Sequence, residues 1–208
     1  MADHEHVFAN PAPAGLIALA MACWTFWAMY TGRVTGGAAP VLAAWMIGGG
    51  LVQYATGLIE LRNGAIKGGC VFLFFGAFFM FVTALSLITK YLLAQNGMPF
   101  DARIEGYAWM ACAIGLILFT PAYATKSPKF MFFLVVIVDI CLVLIALMDM
   151  NAIPKAVYAP PTGWMLFVVG CMGLYLAGGI MINSEYGRPI VPLTTPLVKD
   201  TPKKGIAA

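Results

Sequence analysis

"FMFFLVVIVDICLVLIALMDM", residues 130–150, decides the class of fold. From Phe130 to Met148 it carries one charged side chain, Asp139. A helix crossing a hydrocarbon layer of about 30 Å needs roughly 20 apolar residues, and this run supplies them without a break. Its apolar residues are continuous and do not alternate, so the run reads as a membrane helix and not as a barrel strand.

Five further runs of the same kind flank it. The six expected spans are 14–31, 39–60, 68–89, 107–124, 130–149 and 161–182. The stretches between them, "TGRVTGG", "RNGAIK", "QNGMPFDARIEG", "KSPK" and "NAIPKAVYAPP", carry turn chemistry. The chain of 208 residues is 62% apolar and 10% charged, where a soluble domain carries about 25% charge. The expected fold is therefore an all-α polytopic membrane protein, six transmembrane helices in one bundle. Residues 1–9 are expected as an N-terminal tail, 10–183 as the transmembrane domain and 184–208 as a C-terminal tail.

An even number of spans puts both termini on one side. That side would hold Arg62, Lys67, Lys126, Lys129, Arg188, Lys199, Lys203 and Lys204, against Arg33, Lys90, Arg103 and Lys155 on the other. The positive-inside rule then predicts cytoplasmic termini in the cell (inner or plasma) membrane. Residues 1–9 hold Asp3, His4, Glu5 and His6 and no lysine or arginine, so no cleaved leader is expected.

The net charge of +3 is spread over segment ends and a tail, without a basic stripe, so no nucleic-acid partner is expected. Cys23, Cys70, Cys112, Cys141 and Cys171 each fall in a different span and read as small packing residues. His4 and His6 in the acidic tail are not read as a metal site. No nucleophile–base pair or phosphate loop is visible, so neither an enzyme nor a cofactor or metal is expected. Two small-xxx-small pairs, Ala44 with Gly48 and Gly173 with Ala177, mark faces where helices approach closely, within one subunit or between subunits.

Polar groups at membrane depth are costly, so each one needs a reason. "NPAPAGL", residues 10–16, suits a helix start: asparagine caps, and proline fits the first turn. The unpaired N–H groups of such a start could also hold a carboxylate without a basic side chain. Gln53 could bond between helices or line a pore. Glu60 is expected to pair with Arg62 or Lys67 at the interface. Asp139 has three readings: a proton-binding site, a contact to a Tyr or Ser of another helix, or a pore-lining group. Phe72, Phe75 and Phe79 share one helical face and Phe74, Phe78 and Phe81 another, from which an apolar constriction could be built.

These features together resemble the acetate uptake transporter family, also called the succinate–acetate permeases. That family's signature, Asn-Pro-Ala-Pro-Leu-Gly-Leu, reads here Asn10-Pro11-Ala12-Pro13-Ala14-Gly15-Leu16, departing at Ala14. "GGGLVQYATGLIELRNG" (48–64) is similar to the family's Gly-rich stretch followed by Gln, Ala-Gly-Leu and Glu. "GLYLAGGIMINSEYGRPIVP" (173–192) is similar to its last span and exit. The resemblance covers residues 10 to 192.

What it implies is a monocarboxylate transporter, moving acetate and in some members succinate. It would lie in the lipid bilayer as a homo-hexamer with a separate pathway through each protomer. Members are described both as proton-linked carriers and as channel-like. By matching positions, Asn10 to Leu16 would lie at one end of the path, and Leu19, Phe75 and Val135 would form the constriction. Gln53 would be a polar pathway group, and Tyr175 would match a tyrosine of the last span, with Gly173 leaving extra room beside it. The family often has Phe and Tyr where this chain has Leu19 and Phe75. Asp139 matches no family acid. It lies one turn beyond Val135 on the same face and stands as a candidate proton site. The alternatives are a passive channel for acetate, formate or ammonia, and a structural membrane protein that transports nothing.

Overall fold

The computed structural model describes residues 8–198. His4 and His6, and with them Lys199, Lys203 and Lys204, lie outside the described residues. Six helices are long and apolar enough to cross a membrane: α1 (Ala12–Tyr30), α2 (Gly36–Arg62), α3 (Ile66–Gln95), α4 (Arg103–Ala124), α5 (Lys129–Asp149) and α6 (Lys155–Glu185). Among the described residues there is no strand, only an isolated bridge between Thr125 and Val198. Apolar side chains point outward as freely as inward. Leu118 is 73% exposed, Leu51 62% and Trp45 61%, which suits a lipid solvent and would be costly in water.

Several helix boundaries differ from the sequence expectation, among them the end of α3, which runs to Gln95 where 89 was expected. "NAIPKAVYAPP" reads as a break up to Pro161, yet α6 begins at Lys155 and runs through Pro160 and Pro161. Each proline removes one backbone bond. Here the carbonyls released are those of the first turn, at the end of the span. Helix α4 likewise starts at Arg103, not 107. Its start is fixed by Asp101, whose Oδ1 accepts the Arg103 backbone N–H at 3.0 Å while Oδ2 accepts from the Arg103 guanidinium at 2.6 Å. The guanidinium holds the Asp101 carboxyl down at about 2, so this exposed turn keeps its charge at physiological pH.

The reversals between helices use residues that tolerate a left-handed backbone. Gly64, at φ +76°, turns the end of α2 into α3, and the Ala65 N–H reaches back to the Glu60 carbonyl at 2.9 Å. The start of α1 is closed by its own side chain. Asn10 Oδ1 accepts the Ala12 N–H at 2.9 Å, and the Ala14 N–H reaches the Pro11 carbonyl at 3.1 Å. Pro11 and Pro13 have no N–H to offer.

Helix α1 is central. Its most extensive contact is with α6, where small residues let the backbones meet. A Cβ at Gly173 would stand 3.3 Å from the Leu16 carbonyl oxygen and 3.8 Å from the Ala20 Cβ. The Gly173–Ala177 face thus packs within the subunit. On its other flank α1 meets α2, where Gly57 brings α2 against α3: a Cβ there would lie 2.8 Å from Leu73 N and 2.9 Å from Gly69 O.

Helix α3 does not keep α-helical spacing throughout. Residues Phe75–Val82 form a π-helical segment of eight residues. Such wide turns cluster at functional sites. The segment packs closely on α2, where a Cβ at Gly76 would lie 3.0 Å from Tyr54 N and 3.2 Å from Gly50 O, and its Phe75 and Phe79 belong to the buried core.

Candidate functional site: two vestibules and an apolar plug

Two cavities lie at opposite ends of the bundle, both lined by α1, α3, α4 and α5, the larger also by α2 and the smaller also by Lys155 at the start of α6. The larger, about 530 Å³, is on the side of the described termini. It runs from the α2–α3 and α4–α5 loops inward to Leu19, Phe75 and Val135. The smaller, about 160 Å³, is lined by Phe26, Phe79 and Trp109 at its inner end and by Lys90, Glu105 and Asp149 further out. No residue lines both.

Between them is a solid apolar plug. On α1 it extends from Leu19, which faces the first cavity, to Phe26, which faces the second. Seven residues at 1.5 Å rise make it about 10 Å thick. Its filling includes Ala22, Cys23, Ala113, Cys141 and Leu142, none more than 1% exposed. Phe79 holds the middle, with its ring centroid 5.5 Å from that of Phe26, 5.5 Å from Phe75 and 5.8 Å from Trp109.

The residues singled out from the sequence divide. Asn10, Ala12, Leu16, Leu19, Gln53, Phe75 and Val135 all border the larger cavity. Gly173 and Tyr175 do not. Gly173 is closed off by the α1 backbone, as described above, so it leaves no extra room. The Tyr175 side chain is 41% exposed, and its hydroxyl donates to the Pro192 carbonyl at 2.7 Å. Pro11, Pro13 and Gly15 sit in the first turns of α1 without bordering the cavity; a Cβ at Gly15 would clash with the Phe72 ring.

The amides of the α1 start are taken, as the fold shows, so the first turn presents no free N–H to an anion. A lysine stands nearby instead. Lys67, at the start of α3, borders the cavity and donates from Nζ to the Thr125 carbonyl and to Ser127 Oγ, both at 2.8 Å. The ring of Tyr123 lies beneath it, 5.5 Å from Nζ. Glu60 borders the same cavity, 9% exposed, but has no ion pair among the described residues. The expected pairing with Arg62 or Lys67 is absent, because Arg62 lies over the Phe8 ring at 4.8 Å and Lys67 points to the α4–α5 loop. The Lys67 ammonium was counted in the sequence only as a loop charge. Nothing in spacing places it at a cavity, because Thr125 and Ser127 come from a loop some 60 residues away.

Gln53, 1% exposed, donates from Nε2 to the Gly15 carbonyl at 3.3 Å, which ties α2 to α1. Its Oε1 is buried without a partner. Asp139 does not border either cavity. Of its three readings, the contact to another helix is made to a threonine and not to a Tyr or Ser: Oδ2 lies 2.7 Å from Thr120 Oγ1. The same hydroxyl lies 3.0 Å from the Leu116 carbonyl, and Asp139 Oδ1 has no partner. A hydroxyl has one proton and a carbonyl has none. If Thr120 serves Leu116, the Asp139 contact is a hydrogen bond only with a proton on Oδ2.

At the far end the charges are mutually neutralised. Glu105 accepts from Lys90 at 2.6 Å and from Ser86, and Asp149 lies 3.8 Å from Lys155. Among the described residues no cluster of His, Cys, Asp and Glu could hold a metal ion.

The chain matches the GPR1/FUN34/yaaH family over residues 1–197. It is 27% identical over 187 residues to the Succinate-acetate/proton symporter SatP of Escherichia coli K12, covering 89% of this chain and 95% of that protein. The same protein of Shigella flexneri matches equally. Among solved structures, the bacterial acetate channel SatP superposes with a TM-score of 0.74 at 24% identity, covering 89% of this chain and 99% of that one, so the fold is shared. The six-helix bundle and the match along nearly the whole chain lead to one conclusion: this polytopic membrane protein is a member of the GPR1/FUN34/yaaH family.

Proposed function

We propose that the protein carries acetate and related small carboxylates, succinate among them, across the membrane through a path inside each protomer. The observation that carries this reading is the pair of vestibules facing opposite ends of the bundle, separated only by the plug of Leu19, Phe26, Phe75, Phe79 and Val135. The path enters past Asn10, Ala12 and Leu16, runs beside Gln53, and meets the plug at Leu19, Phe75 and Val135. The relatives, described as a succinate-acetate/proton symporter and as an acetate channel, support the substrate class.

The plug decides the form in which the acid crosses. A bare carboxylate in a medium of low dielectric costs on the order of 20 kcal/mol in the Born limit. Protonating an acid of pKa about 4.3 at pH 7 costs about 2.7 units, or about 3.7 kcal/mol. Crossing as the neutral acid is the lower path, so transport is proton-linked. The proton travels on the substrate, and Asp139 joins α4 to α5 through Thr120.

The termini, and with them the larger vestibule, face the cytoplasm of the inner or plasma membrane. The protein assembles as a homo-hexamer through the apolar groove between α1 and α2, where Ile17, Trp45 and Gly48 have no partner within the described protomer. The test is uptake of labelled acetate by proteoliposomes, with succinate, formate and ammonium as competitors. Acetate uptake above that of empty liposomes, reduced by succinate and unaffected by ammonium, supports the reading. Rates equal to those of empty liposomes for every solute would leave only a structural role.

A further inference from the structure

We propose that Lys67 is the docking site for the carboxylate at the mouth of the larger vestibule. The proposal rests on the transport reading above. An ammonium has three N–H bonds and no acceptor. Two of those of Lys67 are fixed by the Thr125 carbonyl and Ser127 Oγ, both at 2.8 Å, which holds the charge in the wall and leaves one N–H for a ligand. The anchors are themselves set in place: Ser127 is 8% exposed and Tyr123, beneath the ammonium, 6%. The charge is not spent on the chain's own acids, since Lys67 makes no ion pair with a described carboxylate.

Glu60 explains why the lysine stays available. A Cβ at Gly68 would lie 2.6 Å from Glu60 Oε2, so this carboxylate sits against the first turn of α3, which begins at Ile66. The positive end of a helix stabilises an acid there. Glu60 borders the same cavity and makes no bond to Lys67 Nζ, whose two fixed partners are Thr125 and Ser127. An entering monocarboxylate meets Lys67 with a full charge-assisted bond. The α1 start, whose amides are all engaged, cannot do this work.

The experiment has two arms. In the first, Lys67 of the reconstituted wild-type protein is labelled with an amine-reactive reagent and quantified by mass spectrometry, with acetate or with chloride at matched ionic strength. Slower labelling in acetate than in chloride is expected; equal labelling in both at saturating acetate overturns the proposal. In the second, Lys67→Met is compared with Lys67→Arg in acetate uptake. Loss of one charge-assisted bond predicts a KM raised about tenfold for Lys67→Met with maximal rate retained, and rescue by Lys67→Arg. An unchanged KM in folded Lys67→Met overturns the proposal, as does a fall in maximal rate alone. Should Lys67→Met fail to assemble, the labelling arm decides. Wild-type liposomes that take up no acetate contradict the transport reading, and labelling then still decides the docking site on its own.

Discussion

The ring of Phe75 stands edge-on to that of Phe79, centroids 5.5 Å apart and planes at 69°, and the two rings face different cavities. One pair of side chains within a π-helical segment therefore closes both vestibules. Phe79 is the more deeply engaged, because it also meets Phe26 and Trp109. Replacing Phe79 with Ala is expected to thin the plug from its middle and admit bulkier acids. Proteoliposomes with Phe79→Ala should take up benzoate faster, relative to acetate, than wild-type proteoliposomes do. The cavity costs about 3–5 kcal/mol of stability, read as a lower melting temperature in detergent.

Gln53 separates structure from transport. Its Oε1 is already unpartnered and its one bond, to the Gly15 carbonyl, is long at 3.3 Å. Gln53→Leu removes an unpaired polar atom, so stability should change by less than about 1 kcal/mol. Acetate flux should fall several-fold while assembly is intact. Lost folding with normal specific flux in the surviving protein would assign Gln53 to packing alone.

Asp139 and Thr120 make a prediction about a proton. Infrared difference spectra of wild type minus Asp139→Asn should show a protonated-carboxyl C=O band at neutral pH. An Asn amide can still donate to Thr120 Oγ1, so Asp139→Asn should fold and retain the dependence of uptake on pH, which belongs to the substrate. Loss of that dependence in Asp139→Asn would move the coupling proton from the substrate to this residue.

Gly57 tests the packing that holds the wall in place. A Cβ there meets backbone of α3, Leu73 N at 2.8 Å and Gly69 O at 2.9 Å, and backbone cannot rotate aside. Gly57→Ala should cost about 1–3 kcal/mol, whereas Gly48→Ala, with nothing within 4 Å, should be neutral in the isolated protomer. If Gly48 lies in a subunit interface, a bulkier Gly48→Leu should lower the oligomer mass measured by light scattering.

Apolar run length alone carries the six spans, because hydrocarbon thickness sets it and no tertiary contact alters it. The ends are less readable: Pro160 and Pro161 look like a stop, yet near the end of a span the carbonyls they release cost little. Leu19, Phe75 and Val135 are legible only through the family resemblance, by matching positions, and all three border the larger cavity. Period does not say which face looks inward, and Tyr175 shows it: it borders neither cavity, and α6 reaches the smaller one only through Lys155 at its start. The π turn that positions Phe79 leaves no mark in a run of phenylalanines. Lys67 escapes because its site is made by a loop from the far half of the chain.

The central claim is that a neutral acid crosses the plug, and its most direct test is acetate uptake into proteoliposomes with pH gradient and membrane potential set independently. The account predicts uptake that rises as the pH on the acetate side falls, collapses with a protonophore, and ignores a potential imposed by potassium and valinomycin. Uptake that follows the imposed potential and is indifferent to pH would mean that the bare anion passes, and would contradict the account.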